Sequence, residues 1–213
     1  MNQDYYNNRS IRYGIGHTRR DRILGLVKNS LAIKVLDVGC ARGYLGLRIK
    51  ESGKYVAGIE ISVGAAIEAK RVLDEVYIFD VSLGWPEEVR KQRFDLVILS
   101  EVLEHVFDPV FVLKNIHEIL NSDGEVIITT PNFMTWTNRW KFIFGNFSYQ
   151  EQGMFDFSHI RWFTYSYFKK VLINSGFEIV EESHIIFPGK LTRLLKLWPS
   201  LFAFQFILKA RKI

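Results

Sequence analysis

The sequence predicts an α/β domain: a mostly parallel sheet with helices on both faces. Three observations lead there. Short apolar runs alternate with helix-spaced segments five times between residues 34 and 131, the pattern of successive right-handed crossovers. The first run, Lys34-Val-Leu-Asp-Val38, breaks into a glycine-bearing loop and resumes as Tyr44-Leu-Gly-Leu-Arg-Ile-Lys50, which reads as buried strand, tight turn and helix. Asp37, Glu60, Asp80, Ser100 and Glu101 all fall at the ends of such runs, and in a parallel sheet those ends share one edge, where ligands bind.

The bounds are those of one globular unit, 1–213. The chain has 213 residues, 48% hydrophobic and 24% charged. Its formal charge of +5 is mild, and no basic stripe or N-P-P-Y-type stretch points to nucleic acid. Cys40 is the single cysteine, so no internal disulfide forms and a reducing, cytoplasmic setting is expected. No metal-ligand cluster surrounds Cys40 in the sequence, and no metal is expected. The polar start and the lack of a long apolar run predict neither a leader nor a membrane span.

Residues 1–30 read as an irregular arm, rich in Asn, Arg and Tyr, followed by a helix over 17–28 with Ile23, Leu24, Leu26 and Val27 on one side. Arg19, Arg20 and Arg22 read as a solvated face. In the first loop Gly39 and Gly43 allow a sharp turn and close approach of a ligand. Its glycines follow G-x-x-x-G-x-x-G, which is neither the dinucleotide pattern nor a P-loop, and Asp37 would repel phosphate. A positively charged ligand suits it better.

Asp37-Val-Gly-Cys-Ala-Arg-Gly43 resembles the first motif of the class I S-adenosylmethionine-dependent methyltransferases, D-x-G-C-G-x-G. The resemblance implies a three-layer, Rossmann-like fold with a mostly parallel seven-stranded sheet and an antiparallel last strand. It also implies S-adenosylmethionine as cofactor, S-adenosylhomocysteine as product, and cofactor contacts from Asp37, Gly39, Cys40, Ala41, Gly43 and Tyr44. Ala41 departs from the pattern, and a positive φ there would strain the loop.

The next strand, 55–60, ends in Glu60, whose carboxylate can accept two ribose hydroxyls; Ser62 then caps a helix to Leu73, and Ile61 adjoins. The strand over 75–80 ends in Asp80; the family resemblance places an acid there against adenine and the following backbone, Val81, against its ring. Asp80 also reads as an ordinary turn residue. The strand over 94–100 runs into Ser100-Glu-Val-Leu-Glu-His-Val-Phe-Asp-Pro109, similar to a stretch common in small-molecule methyltransferases; Ser100 and Glu101 join the cofactor set, and Asp108 with Pro109 starts a helix. Asn121-Ser-Asp-Gly124 is expected to end that helix before a strand over 125–130.

Residues 132–163 form a long, aromatic, lid-like insertion that suits a substrate pocket or simple packing onto the sheet. His159-Ile-Arg-Trp-Phe-Thr164 resembles the family's H-x-R-x-F-T, with Thr164 capping a helix that Gly176 closes. Strands over 177–186 and 201–211 then flank a connection over 187–200. Its basic, apolar stretch 190–198 suits either ordinary packing or peripheral membrane contact.

His105 and His159 are the candidate bases for deprotonating a hydroxyl, each alternatively a structural hydrogen-bonding residue. The later motifs are similar to methyltransferases of bacterial envelope glycans and lipid-linked intermediates, and to the MetW type. The expected function is therefore methyl transfer to a small-molecule acceptor. The alternatives are a non-catalytic S-adenosylmethionine-binding partner of another enzyme, or a nicotinamide oxidoreductase, which the loop spacing and the terminal strand pair disfavour.

Overall fold

The computed structural model describes residues 15–151, 153–186 and 192–213. In chain order the elements are α1 (Ile15–Lys28), β1 (Lys34–Val38), α2 (Tyr44–Lys50), β2 (Tyr55–Glu60), α3 (Val63–Ala69), β3 (Glu75–Ile78), α4 (Glu87–Arg90) and β4 (Phe94–Ser100). A 3₁₀ turn over Leu103–His105 leads to α5 (Pro109–Ile119), β5 (Leu120–Pro131), α6 (Trp136–Ile143), α7 (Tyr165–Asn174), β6 (Phe177–Glu182), β7 (Ile185–Ile186), α8 (Thr192–Leu195), α9 (Pro199–Phe202) and β8 (Ala203–Lys212). The strand order is β3-β2-β1-β4-β5-β8-β6, parallel from β3 to β5 and antiparallel where β8 inserts between β5 and β6.

Alternation along the strands splits the core into two layers. Leu36, Val97, Leu99 and Ile128 face the side covered by Val112, Leu113 and Ile116 of α5. Val35, Leu96, Ile98 and Ile127 face the side covered by Ile23 of α1, Ile49 of α2 and Ala66 of α3. Full burial of each such aliphatic side chain contributes about 1.5–3 kcal/mol relative to exposure. The central strand β4 is buried on both faces, which is why Leu-Val-Ile-Leu reads as a continuous apolar run.

The caps fall where the local chemistry demands. Ser62 Oγ accepts from Ala65 N–H, Asp108 Oδ1 from Val110 and Phe111 N–H, and Thr164 Oγ1 from Tyr167 N–H. Asp95 Oδ2 accepts from the backbone N–H of Ile33 and Lys34, so the start of β4 pins the start of β1.

Four expectations need correction. β5 begins before residues 121–124 rather than after them: Leu120 pairs with Phe94, residues 121–124 bulge out with Asn121 Nδ2 donating to Asp95 Oδ1, and the ladder resumes at Glu125 opposite Leu96. The sheet has eight strands, because the run over 177–186 is broken. His184 Nδ1 takes the Ile207 N–H and Ser183 N–H goes to Ile207 O, so the ladder is interrupted and β7 is a two-residue remnant. The strand ending in Asp80 stops at Ile78, and the helix expected to reach Leu73 stops at Ala69 in a turn. The irregular arm lies outside the described residues up to 14, and so do 187–191 of the basic connection. Farther along that connection Leu194, Leu197 and Trp198 are exposed, and no described helix is long and apolar enough to cross a membrane.

Candidate active site

The carboxyl edge of β1–β4 opens into a cavity of about 410 Å³, within the range of small-molecule sites. The loop after β1 forms its floor. Gly39 and Gly43 have φ of 72° and 80°, and Ala41 has φ of 48°. Ala41 therefore sits where a Cβ is strained, as its departure from the glycine pattern implies. Gly46 serves packing instead: a Cβ there would lie 2.5 Å from Leu73 Cδ2 and 3.1 Å from Val56 Cγ1, so the residue lets α2 settle on the sheet.

Glu60 holds this loop in place. Its Oε2 accepts from Ala41 N–H at 2.9 Å and its Oε1 from Ser62 N–H at 2.8 Å, and the residue is 7% exposed. Each oxygen keeps a lone pair for a ligand in the cavity it lines. Asp37 lies beneath the loop, 2% exposed, and its Oδ2 has no hydrogen-bond partner among the described residues. Burial, with a smaller contribution from the charge of Glu60, pushes its carboxyl up to about 7. The floor is thus acidic and unlike a phosphate cradle. A ligand carrying positive charge suits it, and this fits the ammonium and sulfonium of S-adenosylmethionine.

Of the residues expected to touch a cofactor, Gly39, Ala41, Tyr44, Glu60, Ile61, Asp80, Val81 and Glu101 line the cavity. Asp37, Gly43, Cys40 and Ser100 do not. Cys40 turns its Sγ into the core, against the Cα of Gly58, where a Cβ would lie 2.6 Å away; burial and the nearby Asp37 and Glu60 raise its thiol well above the usual range. Asp80 takes up its turn reading: its Oδ1 accepts from the Ser82 N–H at 2.9 Å and from the Ser82 hydroxyl, forming an Asx turn, and the residue also lines the cavity. Phe79, Val102 and Val106 add apolar wall that the sequence reading did not single out.

At the β4 end Glu101 adopts φ of 61°, a strained conformation for a non-glycine residue and one that clusters at functional sites. Its carboxylate meets Arg19 Nη1 at 3.2 Å, Thr129 Oγ1 at 2.9 Å and Gln205 Nε2 at 2.8 Å. Arg19 is therefore not part of a solvated face: it ties α1 to the carboxyl edge. The signal is absent from the sequence because the partners lie on elements far apart in the chain.

His105 lines the cavity and His159 does not. Their rings are nevertheless adjacent, with centroids 4.7 Å apart. His105 Nδ1 is 3.0 Å from Ser158 O and His159 Nδ1 is 2.9 Å from Met154 O. A carbonyl only accepts, so each Nδ1 carries the proton and Nε2 is the basic nitrogen of each neutral ring. Glu104, 1% exposed, completes a cluster in which one ligand atom from each residue lies within 4.8 Å of the others. No described residue of the 132–163 insertion lines the cavity itself; Phe133, Phe142, Phe147, Phe155 and Trp162 pack on one another.

Comparison with known proteins agrees with this geometry. A model of the methyltransferase domain family matches residues 11–182. The ubiquinone biosynthesis O-methyltransferase of Azorhizobium caulinodans is 32% identical over 103 residues, which are 47% of this chain and 41% of that protein. Its counterpart in Histophilus somni is 32% identical over 114 residues, 48% of each chain. The chain thus spans less than half the length of these curated relatives. Magnesium protoporphyrin IX methyltransferase from Synechocystis PCC 6803, solved with bound S-adenosylhomocysteine, superposes with a TM-score of 0.67 at 17% identity, over 99% of this chain and 92% of that one. With the family match running from α1 through β6 and the glycine loop, acid series and antiparallel β8 in place, the chain belongs to the methyltransferase domain family and carries the class I fold of the S-adenosylmethionine-dependent methyltransferases.

Proposed function

We propose that this protein transfers a methyl group from S-adenosylmethionine to a hydroxyl of a small-molecule acceptor. The observation that carries this reading is one continuous cavity floored by an acidic loop at the Glu60 end and walled by His105 at the other. When bound, S-adenosylmethionine supplies an electrophilic methyl carbon and leaves as S-adenosylhomocysteine. Glu60 accepts from its ribose hydroxyls with the lone pairs left by Ala41 and Ser62, and Asp80 accepts from the adenine amino group beside the Val81 backbone. Asp37 favours positive charge above the loop. Ile61, Phe79, Val102 and Val106 keep water from the ring and the reacting carbon.

His105 touches the acceptor. With the methyl carbon supplied by the cofactor, His105 would take the proton of the acceptor hydroxyl at Nε2, the basic atom of its neutral ring. A hydroxyl acceptor accords with the O-methyltransferase relatives; the classes that fit are a sugar, a lipid-linked intermediate or a related metabolite. Aligning the two reactants in a water-poor cavity supplies much of the rate.

The test is calorimetric titration with S-adenosylmethionine and S-adenosylhomocysteine on wild type and Glu60→Ala, with NADH as control, followed by transfer assays on hydroxyl acceptors. Both sulfur ligands bind wild type and bind Glu60→Ala about 100-fold more weakly, as loss of two charge-assisted hydrogen bonds requires. NADH binding, or unchanged affinity in Glu60→Ala, would overturn the cofactor assignment. Binding without transfer to any acceptor would favour the non-catalytic partner.

A further inference from the structure

The cluster beside the cavity has an arrangement that proton transfer alone does not require. Glu104 and His105 are neighbours in the 3₁₀ turn after β4, and His159 arrives from the far end of the aromatic insertion. One ligand atom from each lies within 4.8 Å of the others. The carboxylate is 1% exposed and His159 8% exposed, so the donors are held away from bulk water while His105 reaches the cavity wall.

The surrounding shell fixes their orientation. Both imidazoles spend Nδ1 on a backbone carbonyl, Ser158 O and Met154 O, which fixes each ring and makes Nε2 the acceptor atom of its neutral form. Metal-binding histidines are oriented in this way. The segment that supplies those carbonyls is itself anchored. Glu104 O accepts from Ile160 and Arg161 N–H at 2.9 and 3.0 Å, and buried Asp156 accepts from the N–H and hydroxyl of Ser158 at 2.8 and 2.7 Å.

We propose that Glu104, His105 and His159 bind a divalent cation of borderline character, such as Zn²⁺, Mn²⁺ or Fe²⁺, on the acceptor side of the cavity. Two imidazole nitrogens and one carboxylate oxygen suit such ions; Mg²⁺ and Ca²⁺ prefer oxygen throughout. Three protein ligands leave coordination positions open, and His105 places them towards the cavity. The carboxylate of Glu101 is already held by Arg19, Thr129 and Gln205 and is not counted in the set. A cation there would acidify an acceptor hydroxyl by direct coordination, the proton passing to solvent water, and His105 would then serve as ligand rather than as proton acceptor. This role rests on the methyl-transfer reading; cation binding does not.

The experiment uses chelator-treated full chain without S-adenosylmethionine. Zn²⁺ is titrated by calorimetry, and Co²⁺ by its visible d–d absorption, on wild type, His159→Asn and Glu104→Gln, each checked for folding by circular dichroism. Wild type binds one cation per chain with a Co²⁺ spectrum showing nitrogen ligation, and each variant binds more than about 100-fold more weakly. Lys196→Ala, on the remote connection, serves as a control and binds like wild type. Absence of cation binding by folded wild type, or full binding by both ligand variants, would overturn the site and leave His105 as an unaided proton acceptor. The cofactor titration is run separately, so failure of either assignment is visible without the other.

Discussion

On the β1–β3 half of the carboxyl edge, Ala41, Glu60 and Asp80 reach the cavity from positions at or within two residues of a strand end, or in the loop that follows. On the β4–β5 half they are assembled from distant segments. Glu101 is held by Arg19 of α1 and Gln205 of β8, and His105 is positioned by Ser158 and stacked edge-on against His159. The first half needs only the βαβ geometry to be correct, because each strand delivers its own residue. The second half depends on how α1, the insertion and the last strand dock. The contrast suits a cofactor site common to a family beside an acceptor site that each member builds for its own substrate.

The largest expected effect separates the two halves. His105→Asn keeps S-adenosylmethionine affinity within about threefold while transfer to the best hydroxyl acceptor falls by roughly 10²–10⁴, the range for loss of a group acting on the transferred proton. Calorimetry and a product assay on the same preparation check it. Unchanged turnover would remove His105 from the chemistry, and lost cofactor binding would merge the two halves into one site.

Asp37 gives the next effect. Its carboxyl is raised from the usual 3.8 to about 7 in the folded protein, so it favours the protonated form there. The stability linked to that shift is complete below about pH 4 and is lost as pH rises through about 7. Asp37→Asn should therefore raise the stability of the ligand-free protein at pH 8 by roughly 1–3 kcal/mol and change it little at pH 4. Urea melts at the two pH values measure this. A positively charged ligand favours the ionised form, so cofactor binding near pH 6 releases a proton. Calorimetry in buffers of different ionisation enthalpy detects that release, and its absence in wild type would mean that the cofactor's charge lies away from Asp37.

Ala41→Gly is the smallest. Relief of the left-handed conformation outweighs the entropy that glycine adds to the unfolded chain, for a net gain of about 0.5 kcal/mol. A thermal melt about 1–2 °C higher for the variant is the expected reading. A lower melting temperature would show that the Ala41 methyl makes contacts worth more than the strain.

How much of this was legible in the sequence follows the same division. The glycine loop, the acids at strand ends and the caps at Ser62, Asp108 and Thr164 could all be read, because each depends on residues adjacent in the chain. Asp80 could be read only as an ambiguity between turn and ligand; it forms the turn and also lines the cavity. The start of β5 at Leu120 was hidden because Asn121-Ser-Asp-Gly124 has turn composition: those residues do bulge out, while Leu120 before them already pairs with Phe94. The break between β6 and β7 was hidden because it is made by His184 capturing an N–H from β8.

The sequence by itself determined the alternation of strands and helices, the direction of the crossovers and the acidic character of the cofactor edge. These follow from period, spacing and residue type along a continuous chain. Only the tertiary structure decided that Cys40 faces the core, that Arg19 locks onto Glu101, and that Glu104 and His105 meet His159. Their donors come together through packing of separate elements, and the distance between two side chains across such packing is not encoded in any local stretch.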